Sequence, residues 1–84
     1  MSLSELIRSI RLCEEKKQTD FAKDLGLSSS HLCDIEKGRK LVSPLRATQF
    51  AKILGYSEIA FVRLAFQDQA RFAGLEVKID VKAA

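Results

Sequence analysis

The chain has 84 residues, of which 46% are hydrophobic and 30% charged, and its formal net charge is +3. This balance excludes a disordered chain, which needs low hydrophobicity and high net charge, and it allows one domain or one domain with a tail. No apolar run approaches the roughly 20 residues of a membrane span, and no signal peptide is visible, so we expect a cytoplasmic protein without membrane contact. The excess of Lys and Arg fits a nucleic-acid partner without establishing one.

The N-terminal segment has the pattern of an amphipathic helix. Ser2 and Glu5 have the spacing of a capping box, in which each side chain satisfies a free backbone N–H of the other residue. Apolar residues then recur at helical spacing: Leu3, Leu6, Ile7, Ile10 and Cys13. The pattern predicts a first helix over residues 3–15 with this stripe facing inward.

Two short helices are predicted next, joined by a tight turn. Their inward faces carry five apolar side chains: Phe21, Ala22, Leu25, Leu32 and Ile35. Gly26 is typical of a C-terminal cap, because glycine enters the left-handed backbone region at little cost. Ser28 is a strong N-cap for the helix that follows, and Gly38 ends that helix.

Two further helices complete the predicted all-α architecture. Ser43 followed by Pro44 is a specific start signal for a fourth helix, which Gly55 ends. Ser57 caps a fifth helix that runs to about Phe72. This last helix is apolar on more than one side, with one stripe of Ile59, Val62 and Phe66 and another of Phe61, Ala65 and Phe72. Such a helix is expected to contact more than one neighbour.

After Gly74 the hydrophobic period changes to two. Apolar residues alternate with charged ones, which predicts a half-buried strand over residues 75–81. One strand has no partner in a helical chain, so we expect it to pair with the same strand of a second copy, or else with a sheet of a different protein; a frayed tail is the alternative. The predicted dimer interface consists of Phe61, Phe66, Leu75, Val77, Ile79 and Val81.

Residues 18–36 have the pattern of a helix-turn-helix. Ala22 is the small residue needed where the two helices cross, and Gly26, four positions later, tolerates the turn. The second helix is anchored by Leu27, Leu32 and Ile35. With these residues inside, its outer positions are Ser29, Ser30, His31 and Asp34. A polar helix with short side chains can approach base edges in a major groove, which is about 12 Å wide.

The same segment resembles the Xre/Cro–repressor family of helix-turn-helix proteins. The resemblance rests on Gln18, Phe21, Ala22, Leu25, Gly26, Leu27, Ser28, Ser30, Leu32, Ile35, Glu36, Gly38, Arg39, Pro44 and residues 51–55. It implies an all-α, five-helix, lambda-repressor-like domain over residues 1–74, with residues 75–84 as a tail for dimerisation or partner binding.

The resemblance also implies roles for individual residues. Phosphate contacts would come from Lys17, Gln18, Lys37, Arg39 and Lys40, and base contacts from Ser29, Ser30 and Asp34. His31 is either a further contact in the groove or an inert surface residue. Glu36 would have a buried, structural role. Asp34 could accept a hydrogen bond from cytosine N4, or it could simply repel the wrong sequence.

Three features differ from the usual family pattern, and one of them is the negative charge that Asp34 would put near DNA. Lys17 stands where many members have a Ser or Thr N-cap, and Lys is a poor cap although a plausible phosphate partner. Serines stand where several members carry long amides, and serines reach less far into the groove.

No catalytic, metal or cofactor site is expected. Cys13 and Cys33 have no metal-ligand spacing and suggest free buried thiols, and no titratable pair around His31 has a catalytic arrangement. The sequence therefore predicts a homodimeric repressor that binds a near-palindromic duplex. Two alternatives stay open: an antitoxin that binds a toxin protein through residues 75–81 and represses its own operon, and a protein-interaction module on the same fold.

Overall fold

The computed structural model describes residues 1–74, and these form five α-helices. The helices are α1 (Leu3–Cys13), α2 (Gln18–Leu25), α3 (Ser29–Glu36), α4 (Pro44–Leu54) and α5 (Glu58–Phe72). None of the described residues lies in a strand, and none of their helices is long and apolar enough to cross a membrane. The predicted five-helix fold is confirmed, whereas the strand predicted over 75–81 and its pairing lie outside the described residues.

Serine hydroxyls cap the N-termini of four of these helices, as the sequence predicts. At α1 the Ser2 hydroxyl accepts from the Glu5 backbone N–H, and the Glu5 carboxylate accepts from the Ser2 N–H, each at 3.1 Å. The same type of cap, accepting from the N–H three residues on, is provided for α3, α4 and α5 by Ser28, Ser43 and Ser57. Lys17 provides no side-chain cap for α2.

One apolar core lies between the helices. Its buried members are Leu3, Ile7, Ile10, Phe21, Ala22, Leu25, Leu32, Ile35, Val42, Ala47, Phe50, Ala51, Phe61 and Ala65. Helices α4 and α5 pack most extensively against each other, and α1 packs on both α3 and α5. The two helices of the predicted motif, α2 and α3, are therefore attached to a framework made by the other three.

Two details of the sequence prediction are wrong. Helix α1 ends at Cys13 rather than at residue 15, because Glu15 adopts a left-handed backbone with φ of 55°. Cys13 is exposed and does not continue the buried stripe, and Cys33 is only half-buried, so the two free thiols are not core residues.

Helix α5 is held to the start of α1 by a partly buried carboxylate. Asp68 Oδ2 accepts from the Leu3 backbone N–H at 2.9 Å, which satisfies one of the free donors at the N-terminus of α1. The other oxygen, Oδ1, is buried without a hydrogen-bond partner among residues 1–74, and the Arg71 guanidinium lies 3.9 Å from it. Burial raises the pKa of Asp68 above its usual value, although the Leu3 N–H and Arg71 oppose this.

We expect Asp68→Ala to lower the free energy of unfolding by about 1 kcal/mol, because the Leu3 N–H loses its acceptor. Asp68→Asn retains an acceptor oxygen and should be tolerated better. Since the folded state holds the proton of Asp68 more tightly than the unfolded state, the wild type should lose stability relative to Asp68→Asn as pH rises from about 4 to 7. Urea denaturation across this range measures the difference, and a constant difference would contradict the assignment.

Candidate nucleic-acid interface

The turn between α2 and α3 fixes where α3 begins. Gly26 adopts a left-handed conformation with φ of 72°, and its N–H reaches the carbonyls of Ala22 and Lys23. The Leu27 N–H also donates to Ala22, at 2.8 Å. The Ser28 hydroxyl then accepts from the His31 N–H at 3.1 Å. These contacts fix the residue at which α3 begins. The side chains that α3 buries then determine how the helix is rotated about its own axis.

The buried stripe of α3 consists of Leu32 and Ile35, which are 0% and 1% exposed. Because each helical residue rotates by about 100°, two stripes of side chains point away from the core. One stripe contains Ser29 and Cys33, and the other contains Ser30 and Asp34. We call these four residues the outer face of α3. All are exposed or half-exposed.

Ser29, Ser30 and Asp34 were predicted as base contacts and lie on this face, whereas Cys33 lies there without having been predicted. The spacing of four residues between Ser29 and Cys33 contains the signal that would have found it. His31, by contrast, lies on neither outer stripe. It is half-buried.

Basic side chains follow α3 directly. Lys37, Arg39 and Lys40 are exposed, as expected of residues that could meet phosphates. Arg39 Nη1 lies 3.6 Å and Lys40 Nζ 3.9 Å from the two carboxylate oxygens of Asp34. The Asp34 carbonyl also accepts from the Arg39 N–H at 2.8 Å. Asp34 therefore positions the loop that carries two of the predicted phosphate contacts.

A buried ion pair ties the end of α3 to α1 and α2. The Glu36 side chain is 2% exposed, and its two oxygens accept from Arg11 Nε at 2.8 Å and Nη2 at 2.9 Å. The hydrogen bond to Glu36 raises the pKa of Arg11. Gln18 Nε2 donates to the same carboxylate at 3.2 Å. Glu36 is thus structural, as expected, and the amide nitrogen of Gln18 is engaged inside the protein.

The described residues contain no group of three His, Cys, Asp or Glu side chains that could hold a metal ion. What they present is an exposed polar helix face, fixed at both ends and bordered by cations. Such a surface is suited to hydrogen bonding with base edges and phosphates.

Comparison with known proteins agrees with this geometry. A family described as helix-turn-helix matches residues 7–61. The chain belongs to the Xre/Cro type of helix-turn-helix proteins. A relative in Bacillus phage phi105, the ImmF control region 10 kDa protein, is 36% identical over 75 residues, covering 81% of this chain and 83% of that protein. No solved structure matches significantly.

Membership in the Xre/Cro type makes the chain a DNA-binding transcription regulator. Lys17, one of the predicted phosphate contacts, stands exposed beside the start of α2.

The residues predicted for the dimer interface are placed differently from one another. Phe61 is 1% exposed and packs within the domain, with its ring 5.9 Å from that of Tyr56, so it offers almost no surface to a second subunit. Phe66 is 41% exposed. The remaining predicted interface residues, Leu75, Val77, Ile79 and Val81, lie outside the described residues.

We expect Arg11→Met to lower the free energy of unfolding by about 3 kcal/mol or more, because it leaves the Glu36 carboxylate buried without its cation. Arg8→Met, an exposed arginine on the same helix, is the matched control and should change stability by less than about 0.5 kcal/mol. Adding Glu36→Leu to Arg11→Met should recover part of the loss. Equal effects of Arg8→Met and Arg11→Met in urea denaturation would show that the pair contributes nothing.

Proposed function

We propose that this protein is a sequence-specific repressor that binds a near-palindromic duplex as a homodimer. The observation that carries the proposal is the outer face of α3, a set of short polar side chains whose register is fixed by the Ser28 cap and the buried Glu36. An α-helix with short side chains enters the major groove without a steric barrier, which brings Ser29, Ser30 and Asp34 to the base edges.

Phosphate contacts are assigned to the cations that border this face. Lys37, Arg39 and Lys40 follow α3, and Lys17 precedes α2, so that cations flank the motif on both sides. Phosphate contacts position a protein on the duplex and supply most of its non-specific affinity. The carboxylate of Asp34 lies close to Arg39 and Lys40 and reduces the net positive charge there. It therefore weakens binding to any duplex that offers this carboxylate no hydrogen-bond donor.

Dimerisation is assigned to the C-terminal end of the chain. Phe66 and Phe72 lie on α5 and are 41% and 80% exposed. A small domain gains stability when such rings are covered. The alternating residues 75–81 follow directly. A two-fold dimer would place two copies of α3 in successive major grooves about 34 Å apart, which requires a near-palindromic site.

Repression is the simplest regulatory outcome of such binding. A dimer that occupies a duplex excludes other proteins from it, and this requires no further surface. The relative from phage phi105 is named for a control region, which supports a regulatory role here as well.

Asp34→Asn is expected to change sequence preference, and Arg39→Ala to change affinity alone. After selection of bound duplexes from a random pool, Asp34→Asn should shift one position from cytosine toward adenine, at a cost of about 1–3 kcal/mol on the original site. Arg39→Ala should weaken binding to selected and random duplexes alike. It should also reduce the slope of log affinity against log salt concentration by about one. If Asp34→Asn changes affinity equally for every sequence, Asp34 does not read a base. A pool without a consensus would contradict sequence specificity itself.

The dimer is tested with two pairs of substitutions in the predicted strand. Val77→Ser with Ile79→Ser removes apolar side chains from one face and should yield a monomer in sedimentation equilibrium. Glu76→Ser with Lys78→Ser alters the opposite face and should leave the dimer intact. A dimer of unchanged strength in the first pair would show that residues 75–81 are not an interface element.

A further inference from the structure

A cleft of about 360 Å³ lies between the start of α1, the loop that follows α3 and the end of α5. Its volume is in the range of sites that hold small organic molecules, about 300–1,000 Å³. We call it the α1–α5 cleft. The loop and α5 line it with three apolar and three charged side chains, namely Leu41, Val42, Phe72, Lys40, Asp68 and Arg71.

The accessible charge in the α1–α5 cleft is positive. Asp68 Oδ2 is occupied by the Leu3 N–H and Oδ1 is buried, so neither oxygen is open to a ligand. The side chains of Arg71 and Lys40, in contrast, are 52% and 56% exposed. Asp68 Oδ1 lies 3.9 Å from Arg71 Nη1 and orients the guanidinium, whose other N–H groups remain available as donors. An occupant of the cleft is therefore expected to carry a negative charge.

Apolar surface beside these cations favours an occupant that also has a hydrocarbon part. Leu41 is 40% and Phe72 80% exposed, whereas Val42 is buried. Moving an alkyl or aryl group from water onto such side chains is favourable. An inorganic anion would leave this surface uncovered, and an uncharged hydrocarbon would leave the two cations without a partner. The lining therefore matches a small carboxylate with an apolar body.

We propose that the α1–α5 cleft binds a small carboxylate with an alkyl or aryl body, and that this ligand weakens DNA binding. Arg71 donates to the carboxylate, and charge-assisted hydrogen bonds of this kind are the strong ones. Lys40 adds a second cation, because its flexible stem lets Nζ leave Asp34, which lies 3.9 Å away. Leu41 and Phe72 cover the apolar body.

Lys40 couples the cleft to the DNA-binding surface, and this coupling rests on the proposed function, which assigns Lys40 to a phosphate. One ammonium group cannot neutralise a bound carboxylate and a DNA phosphate at once. Each ligand therefore lowers the affinity for the other, by the same factor in both directions. The loss of one phosphate contact also reduces the slope of log affinity against log salt concentration by about one. The carboxylate thus acts as an inducer that releases the protein from DNA.

The site itself is tested with octanoate, whose binding to the full chain is followed through the NMR signals of the backbone amides. Signals from the cleft should shift during the titration. Octanol lacks the charge and acetate lacks the alkyl body, so each should bind about tenfold more weakly or less. Arg71→Gln and Phe72→Ala should each weaken octanoate binding by about tenfold. Arg63→Gln and Leu45→Ala change exposed side chains outside the cleft and should resemble the wild type.

The coupling is tested by binding of the full chain to a random-sequence duplex in octanoate and in acetate of equal concentration. Saturating octanoate should weaken DNA binding by about three- to tenfold relative to acetate. Lys40→Ala should bind the duplex more weakly than the wild type, and octanoate should not weaken it further.

Two results would overturn this inference while leaving DNA binding intact. One is equal octanoate affinity of Arg71→Gln and Arg63→Gln, and the other is equal DNA affinity of the wild type in octanoate and in acetate. A chain that binds octanoate in the cleft but no duplex in either salt would instead overturn the proposed function and the coupling, while the carboxylate site would stand.

Discussion

The buried pair of Arg11 and Glu36 is the interaction on which the geometry of the motif depends. A carboxylate that is 2% exposed is tolerated only when cations and donors satisfy it, and here they come from two other helices. Arg11 approaches from α1 and Gln18 from the start of α2. Leu32 and Ile35 provide burial but little directional preference, whereas these hydrogen bonds fix the direction in which the last turn of α3 points.

The two sides of α3 differ in charge and in packing. The side that faces the core is apolar except for Glu36 at its end, and the side that faces solvent carries both signs of charge. Asp34 lies close to Arg39 and Lys40, so the cations after α3 are partly balanced before any ligand arrives. A regulator with this arrangement gains less affinity from non-specific attraction to phosphates than its net charge implies. More of its affinity depends on contacts that require a matching partner.

Local signals predicted most of the fold. Helix starts are marked by serines, because a capping hydroxyl acts within three residues; these are Ser2, Ser28, Ser43 and Ser57. Helix ends are marked by Gly26 and Gly55 through their own backbone conformation. The end of α1 was missed because Glu15 adopts a left-handed conformation that its residue type does not favour.

Contacts between distant positions could not be predicted in this way. Arg11 and Glu36 are 25 positions apart, and nothing in the local pattern distinguishes Arg11 from the exposed Arg8. Cys33 was different, since the helical repeat alone places it on the outer face of α3, whereas it was predicted to be a buried thiol.

The outer face of α3 contributes no fully buried side chain to the core, and this has an evolutionary consequence. Ser29 and Ser30 can be exchanged for other residues without creating a cavity or breaking the contacts of Glu36. Under the proposed function, binding preference and stability can thus vary independently in descendants of this chain. A lineage of such proteins can diverge in the sites they recognise while the scaffold remains unchanged, so that duplicated copies acquire separate targets through a few surface substitutions.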